Sequence, residues 1–455
     1  MANNFLIKIE KINGGLNDQS AATQIRDNQL KTALNVRYLA DGGFYSRPGY
    51  LDASQDTGET TEWDGLYAMP DDSLVFAITN GKIYHNGTGT MTSLVGTGLT
   101  TGITTFMGEY NGDVYYSNGT DAFGRIALTT AATALTAGVS TSFTVASGQG
   151  WRYGTSGTIR IGGDDITYTA RTNDVLTVTA ATITSNHAIG DIVTEVTLPS
   201  GAPKCKAFAF WAEKTFAIGM AGISGNKYTP ATAFYSATAN IANPEFIYNF
   251  TSGGASQELI GKGGELTAII STRDNLFVFK RRGIEYFYSI DATTLAPLHK
   301  PISEIYGAPG PYCVTQMGNY VVFFTGKEIK TIGIQAEQLY TFTIDPYFDA
   351  NIQRTLQELD EDQDDAVLIY DNKRKLLKLW CNYQGDRVCF VFFIPNRVSS
   401  TLEYTGGWAI DNGKNTKLAI VWKNDIYWTA FGEDKLYQDE IGFDDNGSPI
   451  EIIAE

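Results

Sequence analysis

The chain has 455 residues, 43% hydrophobic and 18% charged, with 34 Lys+Arg against 50 Asp+Glu. That apolar share belongs to a folded protein rather than a disordered one. A formal charge of −16 argues against a protein that grips nucleic acid or anionic lipid, which takes a basic face, though it leaves room for an acidic surface past which DNA slides.

From the N-terminus, Phe5-Leu6-Ile7 is too short for a secretory h-region. A short helix is expected over Asp27 to Leu34, with Leu30 and Leu34 on one face. Beyond it the texture is short runs of aromatic and β-branched residues broken by polar turns, which reads as strands. Such runs include Leu74–Thr79, Asp113–Ser117, Thr215–Gly219, Leu276–Lys280, Tyr320–Phe324, Leu376–Trp380 and Ile426–Phe431. Tight turns precede them at Asp71-Asp72, Asn111-Gly112, Glu213-Lys214, Asp274-Asn275, Gly318-Asn319, Lys373-Arg374 and Asn424-Asp425. A second helix is expected after Asp345-Pro346, as an N-cap and N1 pair, with Phe348, Ile352, Leu356 and Leu359 on one face.

Most of these turns recur every 40 to 61 residues. Meandering strands at a period near ~50 residues mark a β-propeller, whose blades are four-stranded antiparallel sheets packed on both faces. The expected fold is all-β, a propeller of six to eight blades. One interval is 102 residues long, and within it residues 129–198 hold seventeen threonines and no lysine or proline. The expected division is therefore an N-terminal arm with a short helix (1–60), a propeller (61–128 and 200–455) and a small inserted β-domain (129–199). Insertions at exposed loop tips suit such a fold.

Catalytic signatures are sparse. Neither the lone histidines His85, His187 and His299 nor any GxSxG, Walker or GxGxxG pattern marks a zinc site, a triad or a phosphate loop. The acidic run Asp360–Asp365 lacks the glycine a calcium loop needs at its sixth position, where Asp365 stands, and reads as a solvated loop. Lys280-Arg281-Arg282 and Lys373-Arg374-Lys375 read as solvated turns that blunt strand edges, with pairing to an acidic neighbouring subunit as the functional alternative. Cys205, Cys313, Cys381 and Cys389 sit in apolar runs without CxxC spacing and read as free buried thiols. No enzyme activity, catalytic residue, metal or cofactor is expected, and no apolar run approaches the ~20 residues of a membrane helix.

Four segments carry a resemblance: Gly14-Gly15-Leu16-Asn17, Asn35-Val36-Arg37, Gly42-Gly43 and Arg47-Pro48-Gly49. In this order they resemble the N-terminal arm of tailed-phage propeller proteins, including the tail nozzle (tail tubular) proteins of short-tailed phages. The stretches from Leu266 and Gly307, and Asp444–Ile450, are similar to later parts of those proteins; the 129–198 insertion resembles a small β-module of phage tail proteins. The resemblance implies a structural virion protein made in the host cytoplasm. It would be a homohexameric nozzle or connector ring, joined to adjacent tail or portal-adaptor rings, through which viral DNA passes without specific binding. Gly14, Gly15, Leu16, Asn17, Arg37 and Arg47 are the candidate assembly contacts. The alternative is a receptor- or carbohydrate-binding propeller of the tail tip, with glycan cleavage among its possible activities.

Overall fold

The computed structural model describes residues 16–17, 30–38, 44–87, 89–198, 202–219, 231–239, 247–250, 254–259, 263–334, 342–345, 349–393 and 407–454. The chain is an all-β protein with a β-propeller fold. Seven sheets of at least four strands are found among the described residues. The contacts divide the chain into two compact units, residues 54–305 with 432–435, and residues 1–53, 306–431 and 436–455.

The unit built on 54–305 holds four blades. In chain order their first strands are Trp63–Ala68, Phe106–Tyr110, Ala207–Trp211 and Leu266–Ser271, and each neighbours the next. Within each blade the strands pair antiparallel in a meander. The two-residue turns are set by backbone handedness. At Asn111-Gly112 both φ angles are positive, 53° and 82°, the conformation that matches the strand twist in a tight hairpin. The expected turns Glu213-Lys214 and Asn424-Asp425 lie one residue earlier, because Lys214 and Asp425 already pair with Trp211 and Trp422. The left-handed residues there are Ala212-Glu213 and Lys423-Asn424. Strands such as Val75–Thr79 and Leu276–Lys280 are buried along their whole length, as sheets covered on both faces require.

The other unit holds three blades, with first strands Val314–Met317, Val367–Asp371 and Thr416–Trp422 in succession. Two of them take strands from the N-terminal residues. Tyr50–Asp52 pairs antiparallel with Leu436–Asp439 and completes the last blade. Ala33–Leu34 lies parallel to Trp408–Asp411 and antiparallel to Ile453–Ala454. The helix expected over Asp27 to Leu34 is therefore replaced by a strand at its C-terminal end; residues 27–29 lie outside the described set. The second expected helix is short, Gln353–Gln357. Of its expected apolar face, Ile352, Leu356 and Leu359 are buried, while Phe348 lies outside the described residues; Asp345 ends a strand, Phe342–Asp345, and the residue at the helix N-cap is Ile352.

The insertion is continuous with the second blade rather than a separate domain. Ile192–Thr197 pairs along Gly124–Thr130 as the blade's fourth strand, and Gly157–Ile161 adds to its far edge. The core beneath the inserted strands mixes Phe143, Ile159, Ile166 and Leu176 with Ala127 and Val193 of the blade. The expected boundary at 129–199 thus moves inward to about 131–191.

Candidate functional site: a buried charge cluster at the chain ends

The hairpin Val36–Tyr38/Phe44–Ser46 places Arg37 and Arg47 against residues from the other end of the chain. Arg37 donates from Nη1 and Nη2 to the two carboxylate oxygens of Asp411, each at 2.7 Å. Its Nη2 also donates to Glu440, and its Nε reaches the second Glu440 oxygen at 3.3 Å. Lys378 donates to Asp439 at 2.6 Å and to Glu440. Lys414 joins the other Asp439 oxygen at 2.6 Å and Asp411 at 3.4 Å. Beside them Arg47 grips Asp445 with two N–H···O bonds, at 2.7 and 2.5 Å, and Asn35 with a third at 2.9 Å.

Four cations face four carboxylates, and every one of these side chains is at most 3% exposed except Asp445 at 12%. Burial alone would push the Asp411, Asp439 and Glu440 carboxyls up. The charges of Arg37, Lys378 and Lys414 outweigh it and hold all three below the usual carboxylate range. Burial would likewise lower Lys378, yet Asp439 and Glu440 raise it. The cluster is neutral, multiply hydrogen-bonded and buried, the condition under which buried ions are tolerated.

Backbone packing completes the junction. A Cβ on Gly49 would stand 1.6 Å from the Asp444 carbonyl oxygen, so no side chain fits. Leu16 is 3% exposed and its N–H donates to the Trp408 carbonyl; the Asn17 N–H donates to that of Leu30. Of the expected assembly contacts, Gly14 and Gly15 lie outside the described residues, as do Gly42 and Gly43. Leu16, Asn17, Arg37 and Arg47 are buried within their own chain, so they serve its internal packing and are not presented to a neighbour. The sequence reading missed their partners Lys378, Asp411, Lys414, Asp439 and Glu440. One signal was available: Lys378 interrupts the apolar run Leu376–Trp380.

A second buried pair fixes the insertion. Asp113 accepts from Arg125 Nε at 2.8 Å and also from Arg152, which the insertion supplies; Arg125 Nη1 donates to the Arg152 carbonyl at 2.7 Å. Nearby Glu195 accepts from the Tyr168 hydroxyl at 2.9 Å, while its other oxygen has no hydrogen-bond partner among the described residues. Burial raises this carboxyl above its ordinary value.

The histidines sit in structural contacts. His85 is buried and pushed down to about 4 by burial, its Nδ1 accepting the Gly87 N–H at 2.9 Å. His187 Nε2 lies 3.0 Å from Asp164, and the Ser185 hydroxyl also donates to Asp164 rather than to the imidazole. That order gives no base-activated nucleophile. His299 lies 3.3 Å from Glu285. In the acidic run, Asp360 accepts the N–H groups of Gln384 and Gly385, and Asp365 pairs with Arg387. The basic turns find partners at home: Lys280 with Glu285, Arg281 with Glu265, Lys373 and Arg374 with Asp425. Among the described residues no group of three His, Cys, Asp or Glu is arranged to hold a metal ion, and no helix is long and apolar enough to cross a membrane.

No protein-family model and no curated protein matches the chain. Among solved structures it is similar to the computationally designed protein Ika8, with a TM-score of 0.40 at 9% identity over 86% of this chain and 99% of that one. It is also similar to Hsv2 of Kluyveromyces lactis, with a TM-score of 0.32 at 7% identity over 78% and 98% of the two chains. Raptor of Chaetomium thermophilum gives 0.40 at 8% identity, covering 86% of this chain but 29% of that one.

Proposed function

We propose that the chain is a structural component of a phage tail, a ring-forming nozzle or connector whose copies surround the path of the viral DNA. The observation that carries this reading is the convergence of the segments on which the resemblance rests. Asn35 to Arg37, Arg47 to Gly49 and Asp444-Asp445 are far apart in sequence, yet they bond to one another or to shared partners. A signature spent on joining the two chain ends suits a protein whose work is to hold its shape. The charge of −16 suits a wall that repels phosphate and lets DNA pass.

Mass spectrometry of purified virions, with electron microscopy of particles lacking the protein, tests the reading. Expected are its presence in fixed copy number and tails that fail to deliver DNA. Its absence from virions overturns the proposal, and cleavage of a surface glycan by the isolated protein would favour a tail-tip enzyme.

A further inference from the structure

The loop Glu440–Ser448 is built to display one side chain. Glu440, Gly442, Asn446 and Gly447 all take positive φ, at 56°, 76°, 50° and 91°. The loop is pinned by the Ile441 N–H to the Gly49 carbonyl at 3.0 Å and the Asn446 N–H to the Tyr50 carbonyl at 2.8 Å. On this fixed support Phe443 is 98% exposed, with Leu51, 39% exposed, beside Gly442. Glycine and asparagine adopt such angles readily, so only Glu440 carries a conformational cost, and the pinned loop holds Phe443 uncovered on a fixed support. Residues 432–455 carry one lysine against eight carboxylates. With Asp439, Glu440 and Asp445 neutralised internally, Asp444 leaves an acidic side chain next to Phe443 in the loop.

The complementary surface lies on the same chain. The outer strand of the fourth blade, Pro297–Ser303, carries exposed Leu298 and Lys300, and it is flanked by Leu295 at 56% and Ile305 at 76% exposure. Arg282, also exposed, adds positive charge at the end where Ile284 pairs with Ser303, and Glu304 is the acid beside Ile305. Leu295 has φ +57°, a costly angle for that side chain. Pro297 and Pro301 lack N–H groups, so this edge resists pairing with a strand and offers side chains instead.

We propose that copies of this chain associate head to tail, Phe443 of one seating on the Leu295–Ile305 edge of the next. A two-fold contact between identical Phe443 surfaces would set Asp444 against Asp444, whereas the head-to-tail contact opposes Asp444 to Lys300. Such a heterologous contact extends from copy to copy. The inference deepens the ring-forming reading by naming the contact between copies, and its test does not depend on whether the protein sits in a tail.

Sedimentation of the full chain at tens of micromolar tests it. Expected is self-association in low salt that weakens as salt rises, since exposed charges are screened over ~10 Å at 0.1 M. Phe443→Ser and the double variant Leu298→Ser/Ile305→Ser should each weaken it by roughly tenfold or more. An equal mixture of the two should form 1:1 pairs, because one retains the edge and the other the aromatic. Unchanged thermal unfolding of each variant shows that the fold is intact. If either fails to fold, Asp444→Lys and Lys300→Glu replace them, each impaired alone and restored when mixed. A monomeric parent at every concentration, a Phe443→Ser chain that associates normally, or variants that do not complement each other overturns the proposal, whether or not the protein proves to be in virions.

Discussion

Arg37 and Asp411 are 374 residues apart in the chain and meet as a bidentate pair with both N–H···O distances at 2.7 Å. Removing one partner leaves a charge buried and uncompensated. Arg37→Met should therefore cost about 3–5 kcal/mol of unfolding free energy, and Asp411→Asn a similar amount. Urea denaturation measures both, and the double variant should lose less than the sum because the residues share one network.

The same cluster sets the response to acid. Asp411, Asp439 and Glu440 are held below their unfolded values of about 4. A depressed carboxylate contributes stability that is fully present above the unfolded value and lost as pH falls through the folded one. Unfolding free energy from these groups should be level from neutrality to about pH 5 and fall steadily below about pH 4. Urea midpoints across that range provide the check.

Glu195 has the opposite sign. Its carboxyl is raised, so its contribution is fully present below the unfolded value and is lost as pH rises through the folded one. Glu195→Gln keeps an acceptor for the Tyr168 hydroxyl and carries no charge. It should raise the melting temperature at pH 7 and have little effect near pH 4, as scanning calorimetry at the two pH values would report.

The insertion should be removable only at its proper boundary. Thr130 and Ile192 pair across the blade, so replacing residues 131–191 by an Asn-Gly turn keeps the fourth strand and should leave a cooperative transition. Deleting 129–198 removes Ile192–Thr197 itself and should give insoluble chain. Expression yield and thermal unfolding of the two deletions decide.

The four cysteines are free and buried, and burial pushes Cys205, Cys313 and Cys389 up to about 12 and raises Cys381 as well. The thiolate is the reactive form. At pH 8 an aromatic disulfide reagent should label the native chain at well under a hundredth of the rate seen in denaturant.

The blades were legible because their signal is local: strand runs and left-handed turn residues recur along the chain, as at Asn111-Gly112. The charge cluster was not, because a lysine such as Lys378 in an apolar run does not name a carboxylate sixty residues away. Arg37 and Arg47 stand out in the sequence but read as outward-facing, since nothing in residues 30–52 betrays that two sheets made from residues 367–454 need their strands. The insertion's boundary failed for a related reason. Ile192–Thr197 has the threonine-rich composition of the inserted residues and the pairing of the blade, and composition alone cannot divide those two roles.

The position of Tyr50–Asp52 at the edge of Leu436–Asp439 also fixes an order of events during synthesis. At about 5–20 residues per second, the 374 residues between Arg37 and Asp411 take roughly 20–75 s to emerge from the ribosome. Throughout that time Ala33–Leu34 and Tyr50–Asp52 have no sheet to enter, and Arg37 and Arg47 have none of these carboxylates to meet. The strands within residues 33–52 find their places only after partners made much later, and a nascent chain interrupted before residue 411 leaves the ribosome with both arginines still waiting.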